Sequence, residues 1–201
     1  ISVEFDSIDG QVFSYRGASY AIPLLGEHQL HNAATVLEAI SVLRKQGWDI
    51  DDEAVESGLY SVAWPARFEV LHTDDPWFVL DGGHNPQCAA ALRECLEHYF
   101  PDSKRVALVG VLKDKDYKSI AAMLAPLFDA CVCVTPPSER ALPAEELAEL
   151  FKDSCREVCV AGTVEDGVDL ARDIAQEQDA MVCAFGSLYI CGQIRSCFGL
   201  R

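Results

Sequence analysis

The sequence predicts an α/β fold: a mostly parallel sheet with one antiparallel edge and helices on both faces, preceded by a smaller α/β segment. Three observations carry that expectation. From residue 68 onward, short near-continuous apolar runs alternate with amphipathic stretches, which is how strands buried on both faces and their crossover helices read. The first two of these runs, 68–72 and 77–80, are separated only by the turn Asp74-Asp75-Pro76, and a connection that short joins antiparallel strands. Ahead of Pro65 the pattern differs, so the chain divides into 1–65 and 66–201.

In chain order, strands are expected at 3–5, 12–15 and 20–22, where apolar and polar residues alternate and Asp9-Gly10 and Arg16-Gly17 supply turns. A helix follows over 27–46, with an apolar stripe of Leu30, Ala33, Ala34, Leu37, Ile40 and Leu43, and Gly47 as its stop. A shorter helix is expected over 52–60. Beyond the first hairpin, strands are expected at 106–109, 131–135, 157–160 and 181–185. Helices are expected over 86–99, 117–127, 144–152, 164–176 and 188–197. Asn85 is a good N-cap and Pro86 a natural first helical residue, because its missing N–H would be unpaired there anyway.

Composition narrows the class. With 201 residues, 50% hydrophobic and 24% charged, the chain can bury a real core, and no apolar run approaches the ~20 residues a bilayer crossing needs. A net charge of −16 argues against duplex nucleic acid as a partner, since that needs a basic face. Any phosphate or polyglutamate must then be met by local cations, dipoles or Mg²⁺. The nine cysteines contain no Cys-x-x-Cys and fall in apolar strands and helices, so they read as small buried hydrophobes in a reducing cytoplasm, without disulfides or zinc. The opening Ile-Ser-Val-Glu-Phe-Asp is not a signal peptide, and without an initiator Met it reads as the start of a fragment or trimmed chain. A monomer is expected.

Asp81-Gly82-Gly83-His84-Asn85-Pro86 is the most informative stretch. It sets an acid and an imidazole at the carboxyl end of a strand, beside free helix N–H groups, where open α/β sheets bind anionic ligands. The plain alternative is a capped turn with a solvated Asp81 and His84. Arg67, after Trp64-Pro65-Ala66, carries a fork suited to phosphate oxygens, or else forms an ion pair with Glu69. Asn32 lies four residues after His28 on one helix face, and its amide suits an adenine or ribose edge; a surface Asn is the alternative. The loop Lys113-Asp114-Lys115-Asp116 follows a strand and therefore faces the same edge as Asp81 and His84. There Lys115 or Lys113 attracts carboxylates, or is simply solvated, and Asp116 reads as an N-cap. Gly186-Ser187 offers N–H groups and a hydroxyl for a carboxylate, or Ser187 is only the cap of the last helix. No Gly-Lys dipeptide and no Gly-x-Gly-x-x-Gly occurs, so neither a Walker-type loop nor a dinucleotide fingerprint is present.

Taken in order, Gly26-Glu27-His28-Gln29-Leu30-His31-Asn32, Trp64-Pro65-Ala66-Arg67-Phe68-Glu69, the Asp81 segment, Gly110-Val111-Leu112-Lys113-Asp114-Lys115-Asp116 and Phe185-Gly186-Ser187-Leu188-Tyr189 resemble the Mur ligase superfamily. Within it they resemble folylpolyglutamate synthase/dihydrofolate synthase, over roughly residues 25 to 192. The resemblance implies an ATP- and Mg²⁺-dependent ligase joining L-glutamate to folate or dihydropteroate through an acyl phosphate. It implies a Rossmann-like C-terminal domain over 66–201 and, over 1–65, the tail of a central ATPase domain whose phosphate loop and main Mg²⁺ ligands lie in an N-terminal region missing from this chain. By the same resemblance Asn32, Arg67 and Asp81 meet ATP, His84 acts in catalysis, Ser187 and Lys115 meet glutamate or substrate, and no residue here is a metal ligand. Two departures stand out: Ala66 replaces the usual Gly, requiring a turn that tolerates a Cβ, and Gly83 replaces the more usual Ala, a change expected to be harmless. Another Mur-type ligase with a peptidoglycan or cyanophycin substrate, and a non-catalytic nucleotide- or amino-acid-binding module, are the rival readings. Polyglutamylation and dihydrofolate synthesis both remain open.

Overall fold

The computed structural model describes residues 1–72, 74 and 76–200. The chain forms two compact units, 1–65 and 66–201.

In the first unit β1 (Ser2–Ser7), β2 (Gly10–Tyr15) and β3 (Ala18–Ile22) make an antiparallel meander in the order β1-β2-β3. Tyr15 pairs with Ala18, leaving a two-residue loop in which Arg16 (φ 51°) and Gly17 (φ 85°) are both left-handed, the hairpin turn that matches strand twist. Helices α1 (Glu27–Lys45) and α2 (Asp52–Tyr60) cover it, and the core is Phe13, Ile22, Leu30, Ala33, Val55 and Leu59. The expected stripe of α1 is buried only at its start: Leu30, Ala33 and Ala34 are buried, while Leu37, Ile40 and Leu43 are half-buried. A 19-residue helix runs about 28 Å, longer than strands of five or six residues can cover. Gly26, which supplies no capping side chain, is held instead by buried Gln11, whose Nε2 donates to the carbonyls of Leu24 (2.7 Å) and Gly26 (3.2 Å).

The second unit is a six-stranded sheet in the order β4-β5-β9-β6-β7-β8. Its strands are β4 (Glu69–His72), β5 (Phe78–Asp81), β6 (Lys104–Val109), β7 (Ala130–Cys133), β8 (Glu157–Val160) and β9 (Ala180–Phe185). Among the described residues of this sheet β4 and β5 pair antiparallel and its other strand pairs are parallel. The turn expected at 74–76 includes Asp75, which lies outside the described residues.

Helices α3 (Pro86–Tyr99), α4 (Tyr117–Leu124), α5 (Ala144–Glu149), α6 (Val164–Gln178) and α7 (Leu188–Cys197) connect the strands. Strand side chains alternate between faces. Phe78, Leu80, Val106, Leu108, Val132, Val182 and Ala184 pack on α6 and α7 through Val168, Ala171, Ile174, Ile190 and Ile194. On the opposite face Phe185 stacks on Phe128, with ring centroids 5.5 Å apart. The helix expected over 117–127 is shorter because Pro126 has no N–H to reach the fourth residue back, so 125–127 closes as a 3₁₀ turn. Phe68, expected to begin a strand, is instead a left-handed turn residue (φ 43°), and the strand begins at Glu69.

All nine cysteines are thiols, six of them buried. Burial pushes the Cys131 and Cys183 thiols well up, Cys155 to about 11 and Cys191 to about 12, so these groups stay neutral and pack as apolar side chains.

Candidate functional site

Register puts the strand ends in one row: Asp81 lies beside Phe185, Phe185 beside Val109, Val109 beside Cys133 and Cys133 beside Val160. The chain leaves every one of these parallel strands at the same edge, and β9, inserted between β5 and β6, leads into α7 beside α6, while its neighbours β5 and β6 lead into α3 and α4, which pack on each other. Such a switch point at the carboxyl ends of parallel strands is where α/β sheets form a ligand crevice. Small residues let the loops there approach closely. A Cβ built on Gly186 (φ 111°) would stand 2.7 Å from the Gly110 carbonyl oxygen, and one on Gly82 would stand 2.3 Å from Leu188 Cδ2.

Asp81 is the last residue of β5, and its carboxylate organises the backbone. Oδ1 accepts from the Gly83 N–H (2.7 Å) and Oδ2 from the Phe68 N–H (2.9 Å). His84 is half-buried, with Nδ1 at 3.1 Å from the Gly82 carbonyl oxygen. Because a carbonyl only accepts, Nδ1 carries a proton, and the neutral ring in this tautomer has its lone pair on Nε2. Asn85 caps α3, its Oδ1 accepting from the Cys88 N–H at 2.8 Å, with Pro86 in the first turn. The turn has closed around Gly83: a Cβ there would stand 2.7 Å from both Asp81 Oδ1 and Cys88 Cβ, so an alanine in this chain requires its neighbours to shift.

Arg67 occupies a turn that two buried neighbours anchor. Ala66 (φ 57°) and Phe68 are both left-handed and each 3% exposed, and the Phe68 ring packs on Tyr99 and Phe100. The turn therefore does tolerate a Cβ at 66, in a conformation that glycine would enter freely. The Ala66 carbonyl accepts from the Gly82 N–H (2.8 Å) and the Ala66 N–H donates to Glu69 Oε2 (2.8 Å). Glu69 does not take Arg67 as its partner; its other oxygen pairs with Arg195 in the last turn of α7. Among the described residues the half-buried Arg67 guanidinium makes no hydrogen bond or ion pair.

The loop after β6 carries Lys115, half-buried, whose ammonium makes no ion pair among the described residues, and Asp116, which caps α4 by accepting from the Ser119 N–H. Ser187 is 2% exposed and caps α7, its Oγ accepting from the Tyr189 N–H at 3.2 Å. Arg67, Asp81, His84, Lys115 and Ser187 thus all lie in the second unit, near the carboxyl ends of its strands. Asn32 belongs to the first unit, exposed on α1, with Nδ2 donating to Gln29 Oε1 at 3.0 Å.

Sequence reasoning missed three participants. Arg140 pairs with Asp114 (2.8 Å), donates to Tyr189 Oη (3.2 Å) and stacks over the Tyr189 ring, joining the loops after β6 and β7 to the first turn of α7. Glu69 and Arg195 brace the Arg67 turn. Their spacings, 26 residues for Asp114 and Arg140 and 126 for Glu69 and Arg195, lie beyond any local pattern. Among the described residues no group of three or more His, Cys, Asp or Glu side chains converges to hold a metal ion, and no helix is long and apolar enough to cross a membrane.

Comparison with known proteins places these features. The family described as Mur ligase, glutamate ligase domain, matches residues 66–188. A dihydrofolate synthase/folylpolyglutamate synthase of Mycobacterium tuberculosis is 33% identical over 216 residues, covering 96% of this chain and 44% of that protein. A probable bifunctional folylpolyglutamate synthase/dihydropteroate synthase of Halobacterium salinarum is 37% identical over 87% of this chain and 21% of its own length. The crystal structure of Mycobacterium tuberculosis folylpolyglutamate synthase complexed with ADP and AMPPCP superposes with a TM-score of 0.85 at 33% identity, over 99% of this chain and 48% of that one. The chain spans less than half the length of the relatives it matches.

Proposed function

The chain belongs to the Mur ligase family, carrying its glutamate ligase domain over residues 66–188, and from that premise we propose that it is the C-terminal part of a folylpolyglutamate synthase/dihydrofolate synthase-type ligase. In that reaction the carboxylate of a folate or dihydropteroate takes the terminal phosphoryl group of ATP, forming an acyl phosphate and releasing ADP. The amine of L-glutamate then attacks the acyl carbon, an amide bond forms, and phosphate leaves. On this reading residues 1–65 are the end of the central ATPase domain, and the phosphate loop and Mg²⁺ ligands belong to a preceding region. On this reading the chain's own contribution is cationic and positional.

Arg67 neutralises nucleotide phosphate, and Asp81 holds its turn and orients the nucleotide. Asn32 meets the nucleoside. His84, with Nδ1–H committed to the Gly82 carbonyl, turns Nε2 as an acceptor toward the incoming ammonium of glutamate. Lys115 and the Ser187 turn attract the glutamate carboxylates. The observation that carries the reading is Arg67: a half-buried cation without a hydrogen bond or ion pair among the described residues, in a turn tied to the end of β5 by the Gly82 N–H to the Ala66 carbonyl and the Phe68 N–H to Asp81. The same geometry supports the nucleotide reading over a solvated capped turn.

The test is turnover in the full-length ligase. Arg67→Ala and His84→Ala are expected to lower glutamate-dependent ADP release about 30- to 1,000-fold, equivalent to losing roughly 2–4 kcal/mol of transition-state stabilisation, at unchanged melting temperature. The 201-residue chain alone is expected to release no ADP. Near-normal turnover of both variants overturns the assignment.

A further inference from the structure

Arg67 and Glu69 are two residues apart, and opposite charges that near would ordinarily pair and cancel. The structure pairs Glu69 with Arg195 instead. The Glu69 and Arg195 side chains are 23% and 13% exposed, so the pair is shielded from water, where charge attraction is stronger than at the surface. The other Glu69 oxygen accepts the Ala66 N–H at 2.8 Å. This bond fastens a turn whose left-handed Ala66 and Phe68 are disfavoured for residues with a Cβ and persist only where surroundings hold them. The other two fastenings, Gly82 N–H to the Ala66 carbonyl and Phe68 N–H to Asp81, tie the turn to β5. Glu69 therefore needs an anchor of its own, and α7 supplies it.

We propose that Arg195 is a positioning residue: by sequestering Glu69 it keeps the Arg67 guanidinium available to nucleotide phosphate and the 66–69 turn fastened. The proposal rests on the assignment of Arg67 to phosphate. Without Arg195, Glu69 is free to turn onto Arg67, neutralising the cation and releasing the Ala66 N–H. The last helix then serves the site at both ends, through Ser187 at its N-cap and Arg195 in its last turn.

Steady-state kinetics of the full-length ligase, with amide exchange on the 201-residue chain, test this. Arg195→Met is expected to raise the KM for ATP about 10-fold and to speed exchange at the Ala66 and Phe68 amides, while Arg195→Lys, which keeps the charge, behaves nearly as the parent. Adding Glu69→Gln to Arg195→Met leaves no unpaired buried charge. A neutral amide accepts from Ala66 N–H yet cannot capture Arg67, so the KM should return to within about 3-fold of the parent. In an Arg67→Ala background, Arg195→Met should add less than about 2-fold, because residues acting through one another are not additive. A double variant as impaired as Arg195→Met, or effects that multiply in the Arg67→Ala background, overturns the proposal. If Arg67→Ala leaves the KM for ATP unchanged while Arg195→Met still speeds exchange at 66 and 68, the phosphate assignment falls and the bracing of the turn stands.

Discussion

Gly83→Ala is the sharpest test of how tightly the strand-end turn is built. The added Cβ would meet Asp81 Oδ1 and Cys88 Cβ, both at 2.7 Å. Neither neighbour yields easily. Cys88 Cβ is attached directly to the α3 backbone, and Asp81 is held by two backbone N–H groups. Normal contact needs roughly 0.7 Å of movement by the turn or the helix start, and overpacking of that kind costs about 1–3 kcal/mol. Alanine also restricts the unfolded chain, which returns about 0.4–1 kcal/mol. The net destabilisation is then about 1–2 kcal/mol, or roughly 3–8 °C in melting temperature for a domain of this size.

Gly82→Ala is the informative comparison. Its closest clash, 2.3 Å, is with the tip of Leu188, a 52% exposed side chain that can swing away. Gly192, inside α7 with nothing within 4 Å, serves as the control. There alanine should stabilise by about 0.5–1 kcal/mol, since glycine is the poorer helix former. Thermal unfolding followed by circular dichroism should rank Gly192→Ala above the parent, Gly82→Ala below it, and Gly83→Ala lowest. A Gly83→Ala chain that melts at or above the parent refutes the steric argument.

Other outcomes follow from single contacts. Arg105, 9% exposed at the start of β6, donates to the carbonyls of Leu96, Phe100 and Leu127; Arg105→Met should cost about 2–3 kcal/mol of stability without changing the KM for ATP in the full-length ligase. At Ser187, losing the cap costs roughly 1 kcal/mol for Ala but little for Gly, so a lowered melting temperature in Ser187→Ala alone reports the cap. A raised glutamate KM in Ser187→Gly reports substrate contact, and an unchanged one removes Ser187 from the site. Alkaline stability should fall as well. Cys155 and Cys191 start from 9.0 and are raised to about 11 and about 12, so above pH 9 the unfolded chain loses protons that the folded chain keeps. Stability therefore declines from pH 9 toward 11, by on the order of 2 kcal/mol per thiol. A flat pH 8–11 profile in chemical denaturation contradicts that burial.

Local signals were legible where a few adjacent residues suffice. Asn85 with Pro86, and Ser187 read as a cap, placed α3 and α7 at the observed bounds, because a cap acts within three residues of itself. Continuous apolar runs announced the parallel sheet, and the common strand edge for Asp81, His84 and Lys115 followed from strand direction alone. What tertiary structure decided concerns partners far apart in the chain. The insertion of β9 between β5 and β6 fixes which loops meet, and only register shows it. Glu69, two residues from Arg67, was one possible partner for it; packing of α7 gave Glu69 to Arg195 and left Arg67 without an ion pair among the described residues. Nothing local marks Gly83 as tight; Cys88 and Asp81 close around it only in the folded turn. Periodicity, capping and turn chemistry act over a few residues of backbone, whereas the competition of one carboxylate between two arginines is settled by which helix is buried against which strand.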